Sequence, residues 1–142
     1  MALPTAGSQR VRVRSGLAAA VSLALGLGLQ LLDRTPLIDV LGSVVYIVFI
    51  ACLLRAIWPR LGAVGTAATA FGFATAVELL QLTELPQGVV DVFPPSRLLL
   101  GSAFDPIDLF AYAGGALLAF AVQLMLTGRA GPTSDRAGAL RT

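Results

Sequence analysis

The feature that most constrains this chain is a set of four long runs of apolar sequence, separated by short polar or proline-containing segments. An apolar run of about twenty residues is long enough to cross the hydrocarbon core of a bilayer as a helix. Inside a bilayer, only helices and closed barrels satisfy every backbone hydrogen-bonding group. With 56% hydrophobic and 13% charged residues, the sequence predicts an all-α integral membrane protein with four transmembrane helices.

The bounds of these helices follow from the points at which caps and prolines interrupt the apolar runs. Thr35-Pro36 is typical of a helix start, and Trp58-Pro59 is typical of a helix end. Phe93-Pro94-Pro95 is incompatible with a regular helix, so we predict an irregular loop between the third and fourth helices. The predicted helices cover residues 15–32, 36–57, 61–82 and 105–126.

The two ends of the chain are polar and lie outside this single four-helix domain. Residues 1–14 are predicted to form a basic, solvated segment, with a short strand as the alternative, and residues 127–142 a disordered tail. A cleaved signal peptide is an alternative for the first apolar run. However, the sequence after Leu32 lacks the small residues of a cleavage site.

The arginines predict the orientation of the helices in the membrane. Cytoplasmic loops carry an excess of basic residues, so an inside N-terminus gives eight arginines on the cytoplasmic side against two outside. Both termini are therefore expected in the cytoplasm, and the loop between helices 3 and 4 outside. All ten basic residues are arginine, which together with the Ala, Gly and Leu content is typical of a high-GC bacterial genome. The expected location is therefore a bacterial cytoplasmic membrane, which the chain crosses several times. The eight are Arg10, Arg12, Arg14, Arg55, Arg60, Arg129, Arg136 and Arg141, and the two are Arg34 and Arg97.

Small residues recur every four positions along the first predicted helix. This spacing lets two helix backbones approach closely in lipid, so it predicts a packing face. The stripe consists of Gly16, Ala20, Ala24 and Gly28.

The reactive residue types in the chain limit the chemistry that it can perform. There is no histidine and a single cysteine, Cys52, which excludes Ser-His and Cys-His nucleophiles, imidazole metal sites and an intramolecular disulfide. Carboxylates, arginine, tyrosine and hydroxyl groups remain. No cofactor, no metal site and no nucleic-acid partner is predicted.

The start of the fourth helix has an explanation that requires no function. Asp105-Pro106-Ile107-Asp108 places an acid at the N-cap, proline at the first helical position and an acid at the third, close to a capping box. Asp105 is therefore predicted to be a helix cap. Asp108 either joins it in capping or, with Tyr112, faces the inside of the bundle.

Glu78 is the acid that capping does not explain, because it lies inside the third predicted helix, about one turn before its end. A carboxylate at the centre of a membrane costs about 2.5 to 3.5 kcal/mol, so Glu78 needs a partner or a proton. We predict that Arg97 bridges Glu78 and either Asp108 or Asp39, as a structural clamp or as part of a functional site. Asp39, Ser43 and Tyr46 share one face of the second helix and should point inward. The candidate polar cluster is Asp39, Glu78, Gln81, Arg97, Asp108 and Tyr112.

The same residues carry a resemblance to known families. The segments ELLQL (78–82) and RLLLGSAFDPIDLFAYAGG (97–115), with DVL (39–41) and Tyr46 upstream, resemble the bacterial membrane family called domain of unknown function 2809. They are more distantly similar to VanZ-like proteins, which share an E-x-x-Q pattern, an arginine and paired acids. The first resemblance implies a small multi-span membrane protein without an established activity. The second implies an association with envelope lipids or cell-wall precursors.

Three functions are compatible with these observations. The first is a membrane protein whose outer polar cluster binds an envelope lipid, such as one with an anionic or isoprenoid-linked head group, a cell-wall precursor or a protein partner. The second is an enzyme on a lipid-linked substrate, in which Asp39, Glu78 and Asp108 act as acid, base or metal ligands. The third is a structural or transport subunit that assembles through the small-residue stripe. The sequence favours binding over catalysis because it lacks a nucleophile.

Overall fold

The computed structural model describes residues 6–83, 85–96 and 104–128, which form helices and turns but no strand. Within these residues, four helices are long and apolar enough to cross a membrane. The prediction of an all-α protein with four such helices is confirmed for this part of the chain. The helices are α1 (Ala6–Leu29), α2 (Pro36–Ile57), α3 (Ala63–Leu80), α4 (Leu85–Val92) and α5 (Pro106–Gly128), with a 3-10 turn at Pro94–Ser96.

The first helix starts earlier than its hydropathy suggests. α1 begins at Ala6 and ends at Leu29, whereas the apolar run predicted residues 15–32 and placed residues 1–14 in a solvated segment. The difference arises because arginine is a good helix former, so a charge ends an apolar run without ending a helix. The arginines also find acceptors: Arg12 Nε donates to the Ala56 carbonyl at 3.0 Å, and Arg14 Nη1 donates to the Leu126 carbonyl at 3.3 Å.

Proline and cap residues set the bounds of α2 as expected. Thr35 precedes the helix in an extended conformation, its side chain accepts from the Ile38 N–H at 3.3 Å, and Pro36 is the first helical residue. α3 is shorter than the helix predicted at residues 61–82. It starts after Gly62 and ends at Leu80. α5 begins at Pro106 and runs to Gly128, two residues beyond the predicted end.

The connection between α3 and α5 is more regular than predicted. Instead of a fully irregular loop it contains α4, an eight-residue helix, followed by the 3-10 turn. Pro94 and Pro95 end this helix without preventing it, because a proline interrupts a helix that would continue through it and restricts the residue just before it. Arg97 and the predicted tail at 127–142 beyond Gly128 lie outside the described residues.

The four long helices pack with α2 and α5 at the centre. α1 packs mainly on α2, and α3 packs on α5 and α2. The contacts of Arg12 and Arg14 with the last turns of α2 and α5 show that α1 runs antiparallel to both. At the core, small side chains let the helices approach closely, as is common in membrane bundles. The core includes Ala19, Ile47, Ala51, Cys52, Ala70, Ala74 and Ala119.

The α1 packing face differs from the predicted one. Ala20, Ala24 and Gly28 of the small-residue stripe are exposed, and a Cβ atom on Gly16 or Gly28 would meet no neighbouring atom within 4 Å. The buried residues of α1 are instead Ser15, Ala19 and Ser22. The regular spacing of small residues therefore identified a stripe on this alanine-rich helix, but it did not identify the face of α1 that packs against the other helices.

Gly115 allows the closest helix contact. A Cβ atom at this position would lie 2.9 Å from Ile47 Cβ and 3.1 Å from the Val44 carbonyl oxygen. Only glycine therefore fits where α5 crosses α2. Its neighbour Gly114 faces away, and a Cβ atom there would meet nothing within 4 Å.

Candidate functional site

The N-terminus of α5 is capped by Asp105. Asp105 Oδ1 accepts a hydrogen bond from the Ile107 N–H at 2.9 Å, and the Asp108 N–H donates to the Asp105 carbonyl at 3.0 Å. Pro106 occupies the first helical position, where its missing N–H leaves no donor unpaired. The Asp105 side chain is exposed and also lies at the edge of the cavity described below.

Glu78 links α3 to the start of α5. Its Oε1 atom accepts from the Asp105 N–H at 2.6 Å, and its Oε2 atom accepts from the Tyr112 hydroxyl at 3.1 Å. The side chain is only 1% exposed. In a capping box, the third helical residue accepts from the N-cap N–H. Here Glu78 of another helix takes that place, so the end of α3 fixes the start of α5.

Because Glu78 accepts from the N-cap N–H, the Asp108 side chain does not have to do so and can bind a different helix. Its Oδ1 atom accepts from the Ser43 hydroxyl at 2.6 Å, which joins α5 to α2. The Tyr46 and Tyr112 rings lie near each other, with centroids 6.4 Å apart and planes inclined by 46°. The hydrogen bonds that Glu78 and Asp108 accept therefore tie α2, α3 and α5 together at one end of the bundle.

A cavity of about 680 Å³ opens beside these contacts. It receives side chains from α1, α2, α3 and the start of α5. Its apolar lining includes Leu23, Leu27, Ile38, Val45, Phe49, Val77, Pro94 and Phe104. Its polar lining consists of Ser22, Gln30, Arg34, Asp39, Ser43, Tyr46, Glu78, Gln81, Asp105, Asp108 and Tyr112.

The cavity brings together most of the polar residues singled out from the sequence. The helical face of Asp39, Ser43 and Tyr46 turns towards it. Arg97 lies outside the described residues, so its bridge to Glu78 stays a prediction; in the described part, both oxygens of Glu78 are bound by neutral donors. The predicted residues that line the cavity are Asp39, Glu78, Gln81, Asp108 and Tyr112, with the cap Asp105.

Sequence reasoning missed the contribution of α1 and of the segment that follows it. Ser22 and Gln30 line the cavity, and so does Arg34, which the sequence offered as one of two outer arginines but ranked behind Arg97. Ser22 lies on the same face of α1 as Ser15 and Ala19. Hydroxyls on the buried face of an apolar helix were the signal that this helix contributes to a site.

The carboxylates of the cavity are not arranged as a metal site. Among residues 6–83, 85–96 and 104–128, no three His, Cys, Asp or Glu side chains lie close enough together to hold a metal ion. The Asp39 carboxylate lines the cavity and has no hydrogen-bond or ion-pair partner among the described residues, so it is available as an acceptor.

Comparison with known proteins identifies the family of the chain. Searches of curated proteins and of solved structures gave no match. A family model matches residues 32–116, which include Asp39, Glu78, Asp105, Asp108 and Tyr112. This match covers more than half of the 142 residues. The chain is therefore a multi-pass membrane protein that belongs to the family described as protein of unknown function (DUF2809).

Proposed function

We propose that this protein binds an amphiphilic molecule of the membrane, whose polar head group occupies the cavity beside Asp39, Asp108 and Tyr112. The observation that carries the proposal is the cavity itself, because it combines four carboxylates with an apolar lining from several helices. Its volume of about 680 Å³ is within the usual range of small-molecule sites, about 300–1,000 Å³. A purely structural clamp would not need such a space.

The charges of the cavity favour a head group that donates hydrogen bonds. Four acids, Asp39, Glu78, Asp105 and Asp108, line it together with one described cation, Arg34. Carboxylates accept hydrogen bonds and attract cations. A head group rich in hydroxyl or amino groups therefore fits better than a purely anionic one, and Arg34 would pair with a single phosphate or carboxylate on the same molecule.

The acids of the cavity have two different roles: a framework residue holds the helices in place, whereas a contact residue is available to bind a ligand. Glu78 is a framework residue because both of its oxygens hold α5 in place. Asp39 has no partner among the described residues and is exposed to the cavity. We therefore assign Asp39 the main contact with the ligand, with Arg34 beside it.

Substitution of Asp39 tests this assignment. The full-length protein would be extracted from its native membrane in a mild detergent, and native mass spectrometry would measure the amphiphile that remains bound. We expect Asp39→Asn to weaken retention at least about tenfold, the effect of losing one hydrogen bond to a charged group. Asp33→Asn is the matched control, because Asp33 is exposed in the same connection but does not line the cavity.

The comparison of the two variants distinguishes binding at the cavity from nonspecific retention of lipid. Equal retention by the Asp39→Asn and Asp33→Asn variants would contradict the proposal, as would a wild-type protein that carries only bulk phospholipid. Correct membrane insertion of both variants is checked by their elution in size-exclusion chromatography.

The enzymatic alternative receives less support from the same contacts. A general base must be within reach of its substrate proton and must accept it. Glu78 is buried and already bound at both oxygens, which leaves Asp39 and Asp108 as the acids able to perform chemistry on a lipid-linked substrate. A deletion strain that accumulates a lipid-linked precursor would favour this alternative over binding.

We infer that the cavity faces the outside of a bacterial cytoplasmic membrane. Among the described residues, the end of the bundle opposite the cavity carries Arg10, Arg12, Arg14, Arg55 and Arg60, as expected for a cytoplasmic side. The ligand would then be an amphiphile of the outer leaflet, such as an envelope lipid or a lipid-linked cell-wall precursor. This agrees with the more distant resemblance to VanZ-like proteins.

A further inference from the structure

A second polar site lies at the end of the bundle opposite the cavity, around Arg55. This residue belongs to the last turn of α2 and is only 7% exposed. Its Nε and Nη1 atoms are buried and have no hydrogen-bond partner among the described residues. Two unpaired donors on a buried cation are strongly unfavourable, so we expect an acceptor to be provided or bound here.

The chain itself offers no carboxylate at this end within the described residues. Their acidic side chains are all at the cavity end or in the connections beside it: Asp33, Asp39, Glu78, Asp91, Asp105 and Asp108. The remaining acid beyond α5 is Asp135, outside the described residues. Arg55 is therefore a buried positive charge whose counter-charge does not come from the packed helices.

Two further arginines converge on the same end. Arg12 Nε donates to the carbonyl of Ala56, the residue next to Arg55, and Arg14 Nη1 donates to the carbonyl of Leu126 in the last turn of α5. Arg12, Arg14 and Arg55 therefore all lie at the end of the bundle where α2 and α5 end. Arg12 and Arg14 are exposed and therefore accessible to an anion, whereas Arg55 is buried.

The polar groups beneath this cluster are also incompletely paired. Gln123 is fully buried; its Nε2 atom contacts the Cys52 sulfur at 3.7 Å, and its Oε1 atom has no partner in the described part of the chain. The buried Ser15 hydroxyl, which follows Arg14, is likewise without a partner there. Within the described residues, α1, α2 and α5 therefore each carry a buried side chain with an unpaired polar atom, which is unusual for a sealed core.

We infer that Arg55 is the centre of a binding site for a phosphate group at the end of the bundle opposite the cavity. Guanidinium groups bind phosphate through charge-assisted hydrogen bonds, and arginines at helix ends lie at the level of the lipid head groups. The phosphate belongs either to an anionic lipid of the adjacent leaflet or to a free phosphate ion. The inference does not depend on the ligand of the cavity, which lies at the other end of the molecule.

Changing the lipid composition and adding free phosphate in separate experiments distinguishes the two sources of the phosphate group. The full-length protein would be reconstituted in nanodiscs of phosphatidylcholine, with or without phosphatidylglycerol, and inorganic phosphate would be titrated separately into the phosphatidylcholine nanodiscs. Binding is followed through the fluorescence of Trp58, three residues after Arg55 and the single tryptophan of the chain. A response to phosphatidylglycerol alone identifies a lipid head group, and a saturable response to phosphate identifies the ion.

Matched arginine variants test whether Arg55 is responsible. We expect Arg55→Gln to weaken the response about tenfold, the loss of one hydrogen bond to a charged group. Arg60→Gln, which removes an exposed charge at the same end, should change it by less than about threefold. If the Arg55→Gln variant does not insert, the pair Arg55→Lys and Arg60→Lys gives the same comparison, because lysine keeps the charge but loses the planar fork.

Three results would overturn the inference. The first is the absence of any response to phosphatidylglycerol and to phosphate. The second is an equal effect of the two members of either variant pair, which would indicate general surface charge. The third is an Asp135→Asn variant that by itself reproduces the effect of Arg55→Gln, which would identify an internal carboxylate as the partner of Arg55.

Discussion

At the scale of single residues, the hydrogen bonds of Glu78 determine where α5 begins. Its carboxylate accepts from a backbone N–H of the α5 cap and from a tyrosine hydroxyl, at 2.6 and 3.1 Å. Both donors are neutral and both belong to another part of the chain. The acid is therefore stabilised by hydrogen bonds across helices, and it serves as the cap partner, a role for which the sequence offered Asp108 as one of two alternatives.

Glu78→Gln should destabilise the protein because an amide has a single acceptor oxygen where the carboxylate has two. We expect the free energy of unfolding, measured by titration of mixed micelles with dodecyl sulfate, to fall by about 1–3 kcal/mol. Tyr112→Phe removes one of the two hydrogen bonds and should cost about 0.5–1.5 kcal/mol. The double variant should cost less than the sum, since both changes remove the same contact.

An exposed acid provides the control for this prediction. Asp91→Asn, on the surface of α4, should change the free energy of unfolding by no more than about 0.5 kcal/mol. If Glu78→Gln is no more destabilising than Asp91→Asn, Glu78 does not hold α5 in the way described.

The residue scale also shows what a sequence can reveal about a site. Asp105 was identified as a cap because the N–H groups that its side chain and carbonyl accept from are within three residues. The partners of Glu78 are 27 and 34 residues away, so they could not be read from local sequence. Because Glu78 is an acid, the sequence suggested a positively charged partner, Arg97. Backbone N–H groups and hydroxyls occur throughout the chain, so the sequence does not indicate which of them binds Glu78.

At the scale of helices, Gly115 controls how closely α5 approaches α2. Gly115→Ala would place a methyl group 2.9 Å from Ile47 Cβ and should destabilise the protein by about 1–3 kcal/mol. Gly114→Ala, one residue earlier, meets open space and should be neutral or stabilising by up to about 1 kcal/mol, because alanine is the better helix former. The same micelle titration measures both variants, and equal effects would contradict the described packing.

Helix boundaries were predictable where they depend on local chemistry. Thr35-Pro36 and Trp58-Pro59 marked α2 because caps and prolines act within a few residues. The predicted start of the first helix, residue 15, differs from the start of α1 because an arginine ends an apolar run but does not end a helix. The existence of α4 was missed because Pro94 and Pro95 were taken to disrupt the whole connection, although they end a helix that precedes them.

At the scale of the whole molecule, charge is divided between the two ends of the bundle. The cavity and the connections beside it contain the acids of the described residues, whereas the opposite end contains five arginines. Basic residues are retained on the cytoplasmic side of a membrane. This division, together with the antiparallel arrangement of α1 and α2, underlies the proposed orientation with the cavity outside.

Reporter fusions test that orientation directly. Green fluorescent protein fused after Thr142 should fluoresce, and alkaline phosphatase at the same position should be inactive, because this end is proposed to be cytoplasmic. Alkaline phosphatase fused after Leu82, where α3 has ended, should be active. The opposite pattern of activities would reverse the topology and place the cavity at the cytoplasmic face.

The central claim, that the cavity binds a specific amphiphile, is tested most directly by photo-crosslinking in native membranes. A benzoylphenylalanine residue at Phe49 would lie in the cavity, whereas one at Phe110, which is 79% exposed on α5, would face outward. We predict that mass spectrometry finds a distinct amphiphile attached at Phe49 and bulk phospholipid at Phe110. The same bulk phospholipids at both positions would contradict the claim.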